Sequence, residues 1–259
     1  MNRQYFFNVI DKACNYLPTR KIPRLTRKYA ASILNVKDYS LNSGERQTSK
    51  TLDGVRADHT ARYQIAIDFL QKHYENKSVM GYDVFCGVGY GAFMLSNAMQ
   101  NVELKAIDGS SEAIKLARKH YQTGRIFFEQ KLFPFDLPVT DADFFISLES
   151  IEHIKNDTAF LKLITLTTKP GGILIISTPN SEKWQIENNP NHFHYKHYKS
   201  SEFIQNIKHA GFELLHLFGQ DIYKMNEKGG IQDVLDDKDM GVKADYEGQN
   251  CIYIFQKYS

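Results

Sequence analysis

The stretch Val79-Met80-Gly81-Tyr82-Asp83-Val84-Phe85-Cys86-Gly87-Val88-Gly89-Tyr90-Gly91 decides the fold. An apolar run, Val79–Phe85, reads as a strand. It ends in a bend whose glycines let the backbone turn tightly and approach a ligand closely. A helix follows over Tyr90–Met99, and from there short strands and helices alternate. Val102–Ile107 reads as a strand, and Ser111–His120 as a helix with Ala113, Ile114 and Ala117 on one face. Arg125–Glu129 and Asp143–Leu148 are short strands. Asp157–Thr168 is a helix with Asp157 as its cap, broken by Lys169-Pro170-Gly171-Gly172 before the apolar strand Ile173–Ser177. Such alternation predicts an α/β domain with a parallel sheet and helices on both faces.

Working outward, Ser200–Ala210 is a helix, and Phe212–Phe218 and Cys251–Gln256 are two strands in hairpin relation. The polar stretch 221–249 between them holds Asp233, Asp236, Asp237 and Asp239 and reads as a long insertion, a lid, an arm or disorder rather than core. Residues 1–78 read as a polar, helical extension preceding a domain over 79–259. A basic cluster, Arg20, Lys21, Arg24, Arg27 and Lys28, lies in it and reads first as a solvated helix face.

The chain has 259 residues, enough for one large α/β domain or two small ones. With 32 Lys+Arg against 30 Asp+Glu, the net charge of +2 gives no reason to expect a nucleic-acid partner. Hydrophobic residues at 42% and charged residues at 24% exclude a disordered or collagen-like chain. No apolar run approaches the roughly 20 residues of a transmembrane helix, and the N-terminal apolar stretch is broken at Asn8 and Asp11, unlike a signal peptide. Cys14, Cys86 and Cys251 form no paired motif, so the expectation is reduced thiols and a cytoplasmic protein.

In an open parallel sheet ligands bind outside the carboxyl ends of the strands. The first strand ends in Asp83 and the Cys86-Gly87-x-Gly89 bend, where an acid suits a cationic ligand better than a pyrophosphate. The second ends at Asp108-Gly109, an acid placed to accept ribose hydroxyls. The third ends at Glu129-Gln130, a contact for an adenine amino group. The fourth ends in Glu149-Ser150-Ile151-Glu152-His153, which reads as a divalent-metal site or as a general base at His153. After the fifth comes Asn189-Pro190-Asn191-His192-Phe193-His194-Tyr195-Lys196-His197-Tyr198, an acceptor-side wall whose three histidines have no acid or thiol partner nearby in sequence.

As a set these residues resemble the class I S-adenosylmethionine-dependent methyltransferases over about 44–220. The resemblance implies a Rossmann-like, doubly wound, seven-stranded, mostly parallel sheet with an antiparallel last strand. Gly44-Glu45-Arg46, His59-Thr60-Ala61-Arg62-Tyr63 and Asn189–Tyr198 resemble members found in bacterial surface-glycan gene clusters; Glu149-x-x-Glu152-His153 is similar to the metal-associated motif of ubiquinone-pathway O-methyltransferases. The implied cofactor site is Arg62 on the methionine carboxylate, Asp83 on its amino group, Cys86, Gly87 and Gly89 in the loop, and Asp108, Gly109, Glu129, Gln130 and Glu149. Glu152, His153 and His194 are the implied catalytic residues, and Glu149, Glu152 and His153 the ligands of Mg²⁺ or a similar ion. The expected partner is a small-molecule or sugar-type acceptor, methylated on oxygen, and a homodimer is compatible with this composition. Phe85 departs from the family, standing where the loop usually has its first glycine; its side chain is expected to narrow the methionine end of the pocket. The competing readings are an NAD(P)-dependent oxidoreductase, a small-amine N-methyltransferase and a non-catalytic partner subunit.

Overall fold

The computed structural model describes residue 41 and residues 46–188, 193–227 and 229–259. Residues Gln47–Ser259 form a compact unit. The basic cluster at 20–28 and the Gly44-Glu45 pair lie outside the described residues, as does His192. The first α-helix of the unit Gln47–Ser259 is α1 (Ala57–Tyr74).

In chain order there follow β1 (Val79–Val84), α2 (Tyr90–Ala98), β2 (Val102–Asp108), α3 (Ser111–His120), β3 (Ile126–Gln130) and β4 (Ala142–Ser147). Then come α4 (Asp157–Thr167), β5 (Thr168–Pro179), α5 (Ser200–His209), β6 (Phe212–Gln220), β7 (Tyr223–Met225), β8 (Ile231–Val234), β9 (Val242–Ala244) and β10 (Asn250–Lys257). One sheet runs β3-β2-β1-β4-β5-β10-β6-β9. β1 to β5 are mutually parallel where they pair, and β10 runs antiparallel to both β5 and β6. The seven expected strands and the reversed last one are present; β9, on the edge of β6, adds an eighth.

The chain winds outward from β1 to β3, then returns to place β4 on the other side of β1. Loops leaving the carboxyl ends of β1 and β4 therefore diverge and open a crevice between them. The core beneath is the apolar run Ile173–Ile176 with Val84, Phe145, Phe160 and Tyr253, all fully buried.

Two local expectations give way to geometry. The cap of α4 is Asn156, whose Oδ1 accepts the Ala159 amide at 3.0 Å; Asp157 instead accepts the Tyr198 hydroxyl at 2.9 Å. Pro170, Gly171 and Gly172 do not precede the fifth strand but lie inside it, where a bulge moves the β4 register from Ala142↔Thr168 to Phe144↔Ile173. Within the insertion β7 and β8 pair antiparallel, and Gln249 pins their base by accepting the Ile222 and Tyr223 amides and donating to the Tyr223 carbonyl.

Phe85 sits at φ +66°, in the left-handed region that favours glycine. Its ring packs on Phe160 and Phe133 at centroid distances of 5.3 and 6.3 Å, so aromatic packing accounts for a side chain expected to narrow the pocket. The left-handed conformation costs roughly 1–2 kcal/mol, and truncating a large buried aromatic costs about 3–5 kcal/mol. Packing wins even for a half-buried ring. Phe85→Gly should therefore lower stability by about 1–3 kcal/mol in denaturant unfolding, and a variant more stable than the parent would contradict this balance.

Candidate functional site

Asp83 is the last but one residue of β1 and is 1% exposed. Both carboxylate oxygens accept the Tyr63 hydroxyl, at 3.0 and 3.1 Å, and among the described residues no cation pairs with it. Burial pushes its pKa up to about 7; the Tyr63 hydrogen bond pulls down and the nearby Asp108 charge pushes up. Tyr63 reaches it because α1 crosses closely over Gly91, where a Cβ would stand 2.0 Å from the Tyr63 ring. Gly89, at φ +88°, caps α2, and a Cβ there would meet the Phe128 ring and Ala117 below 3 Å. Gly89 and Gly91 thus have steric reasons beyond flexibility, whereas Gly87, at φ +58°, has open space beside it.

Across the bend, Asp108 accepts the Gly87 amide at 3.0 Å and the Ser110 amide at 2.8 Å. Glu129 pairs with Lys131 at 3.1 Å, and Gln130 is exposed and reaches the Gly109 carbonyl at 3.3 Å.

Arg62 is buried and held on three sides. It donates to Gln220 Oε1 at 2.7 Å, pairs with Asp58 at 3.2 Å and lies 3.1 Å from His59 Nδ1. Gln220 itself donates to the carbonyls of Asp58 and Met240, so its amide is fully engaged in orienting the guanidinium. His59 also faces the Tyr90 hydroxyl at 3.2 Å; burial, then the Arg62 charge, bring its pKa down to about 3, so it is neutral.

On the β4 side, Glu149 takes a left-handed backbone, φ +49°. Its two carboxylate oxygens accept the Ser177 hydroxyl at 2.7 Å and the Asn250 amide at 2.6 Å. Burial raises its pKa against the pull of Arg62. Glu149 is thereby separated from the cluster expected to include it. The group brought together is Glu152, His153 and His194, whose ligand atoms lie within 4.8 Å of one another. Glu152 is 1% exposed; its Oε2 accepts Thr178 at 3.4 Å, while Oε1 has no hydrogen-bond partner among the described residues and lies 3.8 Å from His153 Nε2. Burial, then the Glu149 charge, push its pKa well up. His194 arrives because the Tyr195 amide donates to the Glu152 carbonyl at 2.7 Å. The missing acid partner of the histidine loop is thus supplied by the turn after β4.

Sequence reasoning assigned no role to Gln220, Asn250, Trp184 or Tyr223. Trp184 packs against Tyr223 of the insertion at 5.1 Å and against His197 at 5.0 Å. The side-chain atoms Asn180 Nδ2, Trp184 Nε1 and Asn250 Oδ1 are buried without hydrogen-bond partners among the described residues. Buried polar atoms are rarely left so, and at the carboxyl end of a sheet they are the groups a polar ligand would satisfy.

Residues 75–230 match the family described as a methyltransferase domain. The chain belongs to this family, the S-adenosylmethionine-dependent methyltransferases of class I. A protein of Mycolicibacterium smegmatis named a probable S-adenosylmethionine-dependent methyltransferase is 26% identical over 136 residues, covering 52% of either chain. The ubiquinone biosynthesis O-methyltransferase of Rickettsia bellii is 29% identical over 199 residues, covering 70% of this chain and 80% of its own. The chain spans about half the length of the mycobacterial relatives it matches. Among solved structures, an S-adenosylmethionine-dependent methyltransferase from Mesorhizobium loti shares the fold at TM-score 0.55 and 14% identity, covering 77% of this chain and 100% of that one. Among the described residues no helix is long and apolar enough to cross a membrane.

The raised Asp83 pKa has a consequence for the methyltransferase fold itself. The folded state holds its proton up to about pH 7, whereas an unfolded Asp releases it near pH 3.9. Stability from this group is therefore complete below about pH 4 and lost as pH rises through 7. Asp83→Asn should gain melting temperature relative to the parent between pH 5 and pH 8; a difference constant with pH would contradict the assignment.

Proposed function

We propose that the chain transfers a methyl group from S-adenosylmethionine to a hydroxyl oxygen of a small polar acceptor, sugar-type in the preferred case, in surface-glycan or related small-molecule synthesis within the cytoplasm. The observation that carries this reading is the placement of two unlike groups at the carboxyl ends of neighbouring strands. Beside β1 lies the buried, cation-free acid Asp83 with the glycine bend; beside β4 lies the Glu152–His153–His194 cluster. The first suits a donor bearing an ammonium group, and the second suits an acceptor that must lose a proton.

In this reading Asp83 holds the donor's amino group and Arg62 its carboxylate, with Asp108 on the ribose and Gly87 and Gly89 admitting the backbone closely. Cys86, Gly109, Glu129, Gln130 and Glu149 complete the donor side. The acceptor oxygen attacks the sulfonium methyl carbon; the carbon–sulfur bond breaks and its electron pair stays on sulfur, giving neutral S-adenosylhomocysteine. The acceptor's proton passes to His194 or His153, assistance worth about 10²–10⁴-fold for a general base. Most of the remaining rate comes from orienting the two reactants in a site that excludes water.

A base and buried acid favour oxygen over nitrogen as the acceptor atom, because a neutral amine is already nucleophilic. The printed name of the Rickettsia bellii relative, an O-methyltransferase, supports the same choice. The orphaned Asn180, Trp184 and Asn250 atoms support a polar acceptor.

Glu152, His153 and His194 would also hold a divalent ion, with the unpartnered Glu152 Oε1 as its carboxylate ligand. One carboxylate and two imidazoles suit zinc, manganese or iron better than Mg²⁺, which prefers oxygen. Such an ion supplies Lewis acidity that lowers the pKa of an acceptor hydroxyl.

S-adenosylhomocysteine should raise the melting temperature in a thermal-shift assay while NAD⁺ leaves it unchanged; the reverse would return the oxidoreductase. With an acceptor found by scoring S-adenosylhomocysteine release over a panel of nucleotide sugars and catechols, Glu152→Gln should cut turnover by about 100-fold or more. Its affinity for S-adenosylhomocysteine should stay within about threefold, and equal loss of both would make Glu152 structural.

A further inference from the structure

The loop after β5 contains a chain of hydrogen bonds that the reading above leaves unused. His197 is buried, with Nδ1 2.7 Å from the Trp184 carbonyl oxygen and Nε2 2.7 Å from His194 Nδ1. A carbonyl oxygen can only accept, so Nδ1 of His197 carries a proton. In its uncharged form the ring carries one proton only. Its Nε2 is then bare and accepts from His194 Nδ1. The reverse arrangement would set the lone pair of His197 Nδ1 against that of the Trp184 carbonyl at 2.7 Å.

We propose that His197 is a positioning residue that fixes His194 as the Nδ1–H tautomer, making Nε2 of His194 its lone-pair nitrogen. The relay is anchored at its far end. The Trp184 amide donates to the Asn180 carbonyl at 2.8 Å, and the Trp184 ring is clamped between His197 and Tyr223. At its near end the His194 ring stands edge-on to His153, with centroids 4.6 Å apart. The opposite tautomer would present an N–H at Nε2, which can neither take a proton nor bind an ion. One backbone carbonyl, acting through His197, thus decides what His194 offers. The catalytic value of this relay rests on the acceptor-side reading above; the tautomer does not.

The test is a two-bond ¹H–¹⁵N correlation spectrum of the full chain labelled with ¹⁵N-histidine, with His194 assigned by its loss in His194→Gln. His194 should show a protonated Nδ1 and a bare Nε2. His197→Leu removes the acceptor and should abolish that pattern, whereas His197→Gln, whose Oε1 can accept in place of Nε2, should retain it. In methyl transfer, His197→Leu should fall by about 10–100-fold and His197→Gln by a much smaller factor. An Nε2–H tautomer in the parent protein, or an unchanged pattern in His197→Leu, would overturn the proposal. Because the spectrum involves no methyl transfer, the tautomer stands or falls separately from the functional reading.

Discussion

A carboxyl group buried without a cation is costly to ionise, and Asp83 is such a group. It receives a hydroxyl from Tyr63 and, among the described residues, nothing positively charged. Folding leaves the end of β1 acidic, desolvated and open to a cationic ligand. The tolerance of this arrangement depends on α1, which carries Tyr63, crossing α2 at Gly91 with no room for a side chain. The glycine bend, the helix crossing and the unpaired acid are therefore one feature.

The strand order turns that feature into half of a site. Because β4 returns to the far side of β1, the acidic bend and the Glu152 turn follow the carboxyl ends of two neighbouring parallel strands. The protein's own buried cation, Arg62, is held by Asp58 and Gln220 and lies within the electrostatic reach of Glu149. Glu152 lies deeper in acidic surroundings, where Glu149 reinforces the effect of burial. The two sides thus differ in charge balance, as a donor pocket and an acceptor pocket should.

Much of this was legible in the chain, because in a parallel sheet site residues lie at the strands' carboxyl ends or in the turns that follow them. Asp83 is the last but one residue of β1, Asp108 the last of β2, and Glu152 stands in the turn after β4. What was not legible depends on distant segments meeting. His194 was expected with Glu152 and His153 as a catalytic residue but not as a ligand in the metal cluster, which it joins through a backbone bond from Tyr195 to Glu152. Gln220 and Asn250 reach the site because β10 is reversed, bringing its first residue, beside the last of β6, to the carboxyl ends of the parallel strands. The Asn156 cap and the place of Glu149 outside the cluster were beyond reach for a related reason. Adjacent residues of equal chemical aptitude, Asn156 with Asp157 and Glu149 near Glu152, are separated only by geometry.

The central claim is that a sulfonium donor occupies the bend with its methyl group directed at the Glu152 turn. A crystal structure with S-adenosylhomocysteine bound tests it most directly. The account predicts the amino group on Asp83, the ribose on Asp108, and the sulfur facing Glu152 and His194. A ligand seated away from the Gly87–Gly91 bend, or a sulfur turned away from that cluster, would contradict it.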